Sequence, residues 1–251
     1  MNKRIGAQCY TIRDFIKNEE DLDKSLEKLK NIGYQTVQIS GIGPIEPETV
    51  KNLCDKHGLE VICTHKGQDD YLNRLEETIR YHKIIGCKIA GIGSIGNYDK
   101  SADGYRKFVR DFTPVSQRLR EEGITFAYHN HAFDFIKENG EYLLDIILNE
   151  SDFDLILDVY WVAFSGIDPA KLIRKIGSRA RILHFKDLKC NKENKTEMAE
   201  VMNGNLDWDS IIAACEKSGC LAAMVEQDTC SGDPFDSLKI SYQHLTTKGF
   251  C

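Results

Sequence analysis

The chain has 251 residues, 41% of them hydrophobic and 29% charged, with a formal net charge of −6; this suits one α/β barrel or one to two smaller domains around a sizeable core. The acidic balance argues against a nucleic-acid or anionic-membrane partner, since either wants clustered Lys and Arg. Nine cysteines stand singly with no CxxC pair. Together with the absence of an apolar leader in MNKRIGAQCYTIRDF and of any apolar run near the ~18 residues of a membrane span, they predict a reduced, cytoplasmic protein.

Apolar runs of four to seven residues alternate with longer amphipathic segments. In chain order, strands are expected at 4–9, 35–39, 60–64, 88–92, 124–129, 154–158, 181–185 and 221–226. The helices between and after them are expected at 20–32, 47–57, 70–85, 102–122, 141–149, 168–176, 207–218 and 235–247. Gly33, Gly58, Gly86, Gly123 and Gly219 each stand between a helical pattern and the next strand, where a left-handed residue ends a helix. Asp168-Pro169 and Asp233-Pro234 place an N-cap acceptor before a proline at the first helical position. Eight strands alternating with eight helices predict a (β/α)8 TIM barrel, one domain over residues 1–251. A doubly wound open sheet shares the alternation and is the alternative fold.

The last four strands end in metal-binding side chains. YHNH carries His129 and His131, LILD ends at Asp158, RILHFKD carries His184, Lys186 and Asp187, and AAMVEQD carries Glu226 and Asp228. Parallel strands of one barrel bring their C-terminal ends to a single mouth. Imidazole and carboxylate converging there suit a divalent metal of intermediate hardness. His129, Asp158, His184 and Glu226 are the expected ligands. Any one of them alone reads more simply as a hydrogen-bonded strand end; four on successive strands do not.

Around this set, Lys186 is read as a cation for an enolate or a sugar hydroxyl. Gln8, Tyr10, Arg13, Gln38, Ser40, His65 and Trp161 fall at the mouth as substrate contacts. Asp187 joins them, or orients a ligand imidazole, or caps the following turn. GIGSIG, Gly91 to Gly96, has the spacing of a dinucleotide fingerprint but follows the fourth strand and does not open a helix, so it reads as a mouth loop. QDTCSGDPFDS after the eighth strand is acidic and lacks a phosphate-cradling turn, which favours an unphosphorylated substrate.

GAQCYTIRD, GYQTVQISGIG, YHNHAFDF, LDVYWVAFSGIDP, HFKD, GNLDW and VEQDTC occur in this order over nearly the whole length. In these motifs the chain resembles the xylose-isomerase-like TIM-barrel superfamily of sugar isomerases and epimerases. The resemblance implies a divalent metal, Mn first and Zn, Co or Mg as alternatives, with Asp158, His184 and Glu226 on three ligand positions. It also implies a small sugar or polyol as substrate, and a homo-oligomer is compatible with it. Many epimerases of the family carry Glu where this chain has His129, so a two-glutamate proton exchange is not expected. YHNH and VEQD are nearer to the inosose-dehydratase branch. The HNH tract leaves open whether His129 or His131 is the ligand, the position of the usual Glu favouring His129. Glu226 or the free histidine is then the base, with Lys186 beside it. The expected activity is sugar isomerisation or epimerisation through an enediolate. β-Elimination by a keto-sugar or inosose dehydratase is the runner-up, and a non-catalytic sugar-binding barrel the third reading.

Overall fold

The computed structural model describes residues 4–251. Eight parallel strands close into a barrel: β1 (Ile5–Gln8), β2 (Thr36–Ile39), β3 (Glu60–Lys66), β4 (Ile89–Ile92), β5 (Thr125–His129), β6 (Asp154–Asp158), β7 (Ala180–Phe185) and β8 (Ala222–Val225). Each pairs with its sequence neighbours, and β8 closes on β1. The main helices are α1 (Glu19–Ile32), α2 (Pro47–Lys56), α3 (Leu75–Ile85), α4 (Ala102–Glu121), α5 (Leu143–Glu150), α6 (Pro169–Ile176), α7 (Trp208–Ser218) and α8 (Pro234–Thr246). A short helix not expected from the sequence, Val159–Phe164, follows β6 with Asp158 as its N-cap. This is the expected TIM barrel.

Local chemistry accounts for the element ends. All five glycines expected at helix ends have positive φ, and the Gly33 N–H returns to the carbonyls of Leu29 and Lys30. Asp168 accepts from the Lys171 N–H and Asp233 from the Phe235 N–H, each with proline at the first helical position. The segment expected as one helix over 70–85 is two, Gln68–Leu72 and Leu75–Ile85, because Arg74 between them leaves helical backbone angles. Two small antiparallel hairpins, Lys137–Glu138 with Glu141–Tyr142 and Asp187–Cys190 with Thr196–Ala199, were not anticipated. No described helix is long and apolar enough to cross a membrane. All nine cysteines are free thiols.

Two apolar layers result from strand alternation. Outward-facing Phe126, Tyr128, Leu155, Leu157, Leu183 and Phe185 pack beneath the helices. The inward residues Ala127, Ile156, Ile182 and Met224 fill the barrel. Two residues further along each of those four strands come His129, Asp158, His184 and Glu226. The strand period of two therefore sets each ligand candidate directly above a core residue. Gly91 on β4 keeps the mouth open: a Cβ there would lie 2.4 Å from the Thr64 carbonyl, 2.5 Å from Ile156 and 3.1 Å from His65. Gly91 thus belongs to the strand, while Gly93, Ser94 and Gly96 line the cavity at the mouth, where a loop was expected.

Candidate metal centre

His129, Asp158, His184 and Glu226 converge at the C-terminal mouth of the barrel, and all four are buried. One ligand atom from each lies within 4.8 Å of the others. Two donors each about 2.1–2.4 Å from a shared ion can stand no further apart than that. The convergence depends on register. His129 pairs with Ile156, Asp158 with His184, and His184 with Met224. The ligand positions climb from strand to strand as the strands tilt around the axis.

The hydrogen bonding shows which atoms are kept free. The second ring nitrogen of His129, Nδ1, lies 2.9 Å from the Gly93 carbonyl oxygen, and Nε2 of His184 lies 2.9 Å from Oε1 of Gln38. Each oxygen can only accept, so each ring donates outward and turns a lone pair inward, as metal-ligating histidines do. Asp158 receives the N–H groups of Tyr160 (2.8 Å) and Trp161 (3.3 Å) on Oδ1. Its backbone is clamped by Asn130, whose side chain accepts from the Asp158 N–H at 2.8 Å. That leaves His129 Nε2, Asp158 Oδ2, His184 Nδ1 and Glu226 Oε2 buried and facing one another, with no partner outside the cluster and Lys186 beside it. Lys186 reaches only the two carboxylate oxygens, and the ring nitrogens have only those same oxygens to face, so a ligand that joins all four atoms would satisfy the set better than the cluster does alone. The cluster could hold a metal ion.

The charge balance points the same way. Lys186 Nζ lies 2.9 Å from Asp158 Oδ2, 2.9 Å from Glu226 Oε2 and 3.1 Å from Asp228 Oδ2. Burial alone would depress its ammonium, but those three carboxylates hold it well above the ordinary lysine range. Burial likewise opposes ionisation of Glu226, and Lys186 and His184 overcome it, keeping the carboxyl well below its usual range. Three carboxylates against one ammonium leave two negative charges, which a divalent cation cancels.

A cavity of about 570 Å³ opens above the cluster, lined among others by Tyr10, Arg13, Ser40, His65, Lys66, His129, His131, Lys186, Glu226 and Asp228. Its size suits a small ligand. His131 lies on the wall outside the four-atom cluster, its ring 4.8 Å from that of His129 and stacked 5.2 Å from Phe133. Its Nδ1 has no partner among the described residues, and burial and His129 push the imidazole down to about 3. Arg13 is pinned by the carbonyls of Tyr10 (2.9 Å) and Asp228 (3.1 Å) and lies over the Tyr10 ring.

Other expected contacts stand elsewhere. Gln8 and Gln38 are fully buried, beneath the cavity. Trp161 backs His131 and Lys186, its ring 5.5 Å from the first and 5.6 Å from the Nζ of the second. Asp187 turns away from the mouth. Its carboxylate accepts from the N–H groups of Leu188, Met202, Gly204 and Leu206 and from Trp208 Nε1 at 2.6 Å. Asp187 therefore organises the loop before α7 and is not placed to meet a substrate. Sequence reasoning passed over Lys66, which reads as an ordinary strand-end lysine, and Gly93, whose contribution is a main-chain carbonyl. Asp228, already noted at the end of the eighth strand, lines the cavity two residues beyond Glu226.

A family model described as a xylose isomerase-like TIM barrel matches residues 26–244. The chain belongs to that family. Among curated relatives, an inosose dehydratase of Lacticaseibacillus casei is 22% identical, over 87% of this chain and 86% of that one. Among solved structures, a sugar phosphate isomerase/epimerase of Parabacteroides distasonis ATCC 8503 superposes with a TM-score of 0.81 at 20% identity, covering 100% of this chain and 96% of the other. An L-ribulose 3-epimerase superposes with a TM-score of 0.72 at 14% identity, covering 98% and 96%. At these identities the solved structures establish the fold.

Proposed function

We propose that the protein is a divalent-metal-dependent lyase that removes water from a keto-sugar or ketocyclitol by β-elimination, through an enediolate. The observation that carries the metal-dependent part is the set of four buried donor atoms converging from the ends of β5 to β8. Mn suits this mixed nitrogen and oxygen set, with Zn, Co and Mg as alternatives. When bound, the ion supplies Lewis-acid polarisation of a ketone and its neighbouring hydroxyl. His129, Asp158, His184 and Glu226 would hold it.

The chain's own residues do the rest. Glu226 or His131, both at the cavity, takes the proton α to the ketone. Lys186 stays an ammonium and stabilises the negative charge that develops on the substrate oxygens. Glu226 fixes Lys186 from the opposite side. The C–H pair passes into the enediolate and from there into the new Cα–Cβ double bond as the β-hydroxyl leaves, and the proton taken from carbon leaves with it as water. Tyr10, Arg13 and His65 line the cavity for the remaining hydroxyls. General-base help of this kind is worth about 10²–10⁴-fold.

Returning the same proton to carbon gives isomerisation or epimerisation, the second reading. Two observations favour elimination over it. The β5 position is filled by the imidazole of His129, so the site has no second glutamate there to pair with Glu226 in a two-glutamate proton exchange. The curated relatives include inosose dehydratases aligned over most of this chain. The test is incubation of metal-loaded protein with inososes and keto-sugars in deuterated water, followed by NMR. Loss of water establishes the lyase. Deuterium at an α-carbon with every hydroxyl retained establishes the isomerase or epimerase. No exchange across the panel refutes enolisation.

A further inference from the structure

The two histidines of the cluster are oriented by different means. His129 is held by the main-chain carbonyl of Gly93, which no substitution removes. His184 is held by the side chain of Gln38, 146 positions away in the chain. Gln38 stands on β2 and His184 on β7, with β1 and β8 between them in the barrel. The contact therefore crosses the barrel interior, and both residues are fully buried.

We infer that Gln38 is a positioning residue: from the opposite wall, its amide oxygen fixes the His184 ring with Nε2 protonated and Nδ1 presented to the metal. This rests on the metal-centre reading above. The bond constrains more than a contact would. Without an acceptor at Nε2 the ring is free to carry its proton on Nδ1 instead, 2.8 Å from Glu226 Oε2, where it would close against the carboxylate and block the ion. Gln38 therefore disfavours the internal bond that competes with metal. It does so without charge, whereas a carboxylate at this position would add to the net negative charge of the cluster and make the imidazole a stronger donor.

The experiment compares wild type with Gln38→Met, similar in volume but lacking the acceptor, and with Gln38→Glu. Two readouts are taken: imidazole ¹⁵N NMR of metal-free protein, and the Kd for Mn²⁺ and Zn²⁺ by chelator competition. Wild type should show His184 with Nε2 protonated. Gln38→Met should shift the ring toward the Nδ1-protonated form and weaken metal about 10–100-fold, the range typical of lost ligand-orienting bonds. Gln38→Glu should keep the wild-type tautomer and bind metal at least as tightly. The inference is overturned if wild type has Nδ1 protonated, if Gln38→Met binds metal within twofold of wild type, or if Gln38→Glu is weakened like Gln38→Met. Should Gln38→Met not fold, Gln38→Glu still decides. Wild type that binds neither ion sinks the metal-centre reading, while the NMR readout still decides what Gln38 does to the ring.

Discussion

Asp158 and Asp187 are both fully buried carboxylates, one on β6 and the other immediately after β7. Asp187 is saturated: four main-chain N–H groups and the Trp208 indole converge on its two oxygens. Gly204 permits that approach, since a Cβ there would lie 2.3 Å from Asp187 Oδ1. Met202 adopts a left-handed φ of 70° in the same loop while its N–H donates to Asp187, a conformation that costs a non-glycine residue energy. Asp158 gives one oxygen to main-chain N–H groups and turns the other into the cluster, toward His129 and Lys186. A closed set of hydrogen bonds holds a loop; an open one invites a ligand. Burial alone does not separate structure from function, but hydrogen-bond accounting does.

The sharpest way to break this contrast is substitution at the open site. Asp158→Asn should abolish metal uptake and lower turnover by about 10³-fold or more, within the range of losses seen for essential catalytic groups. Circular dichroism should show an intact fold, and an unfolded variant would make Asp158 a second structural carboxylate. Glu226→Gln should likewise remove activity, and surviving turnover would take Glu226 out of the site.

Asp187→Ala should do the reverse. Leaving several buried N–H groups unpaired should cost about 3 kcal/mol or more, read as a lowered denaturant midpoint. Metal affinity per folded molecule should stay near wild type. Loss of affinity with unchanged stability would move Asp187 into the site.

Metal itself tests the open set. At free Mn²⁺ about 100 times its Kd, wild type should gain about 2.7 kcal/mol of stability, and Asp158→Asn should gain none. An equal gain in both would place the bound ion elsewhere.

A third buried group supplies a pH comparison. His82, packed under β3, bonds Thr64 Oγ1 at 2.8 Å and the Thr78 carbonyl at 2.7 Å. Burial drives its imidazole down to about 4 from 6.5. The fold thus holds it neutral, whereas the unfolded chain takes up a proton below 6.5. Its contribution is complete above pH 6.5 and is lost progressively as pH falls toward 4. Between pH 6.5 and 5.5 that loss is about 1 kcal/mol. His82→Gln should flatten this part of the stability profile, and an unchanged slope would assign it to another group.

Much of the barrel was legible because its signals are local. Alternating apolar runs, glycines past helix ends and Asp-Pro starts each report a backbone preference within a few residues, and the eight strands and eight helices followed. The hairpin at Asp187–Ala199 was missed although its turn carries a signal, Asn194 at φ 60° beside Asn191, which accepts the Glu193 and Lys195 N–H groups. Its strands have too few apolar residues to show a period of two. The break at Arg74 was missed because the apolar spacing continues across it.

The sequence by itself determined that His129, Asp158, His184 and Glu226 meet at one mouth, since strand parity and a parallel barrel leave them no other face. Tertiary structure alone decided which atoms stay free. The Gly93 carbonyl and the Gln38 amide set the inward nitrogen of each ring, Asn130 clamps Asp158, and a five-donor loop withdraws Asp187. Nearly all of those partners lie from 15 to 146 residues away, and most are main-chain groups, where residue type carries no trace of the bond.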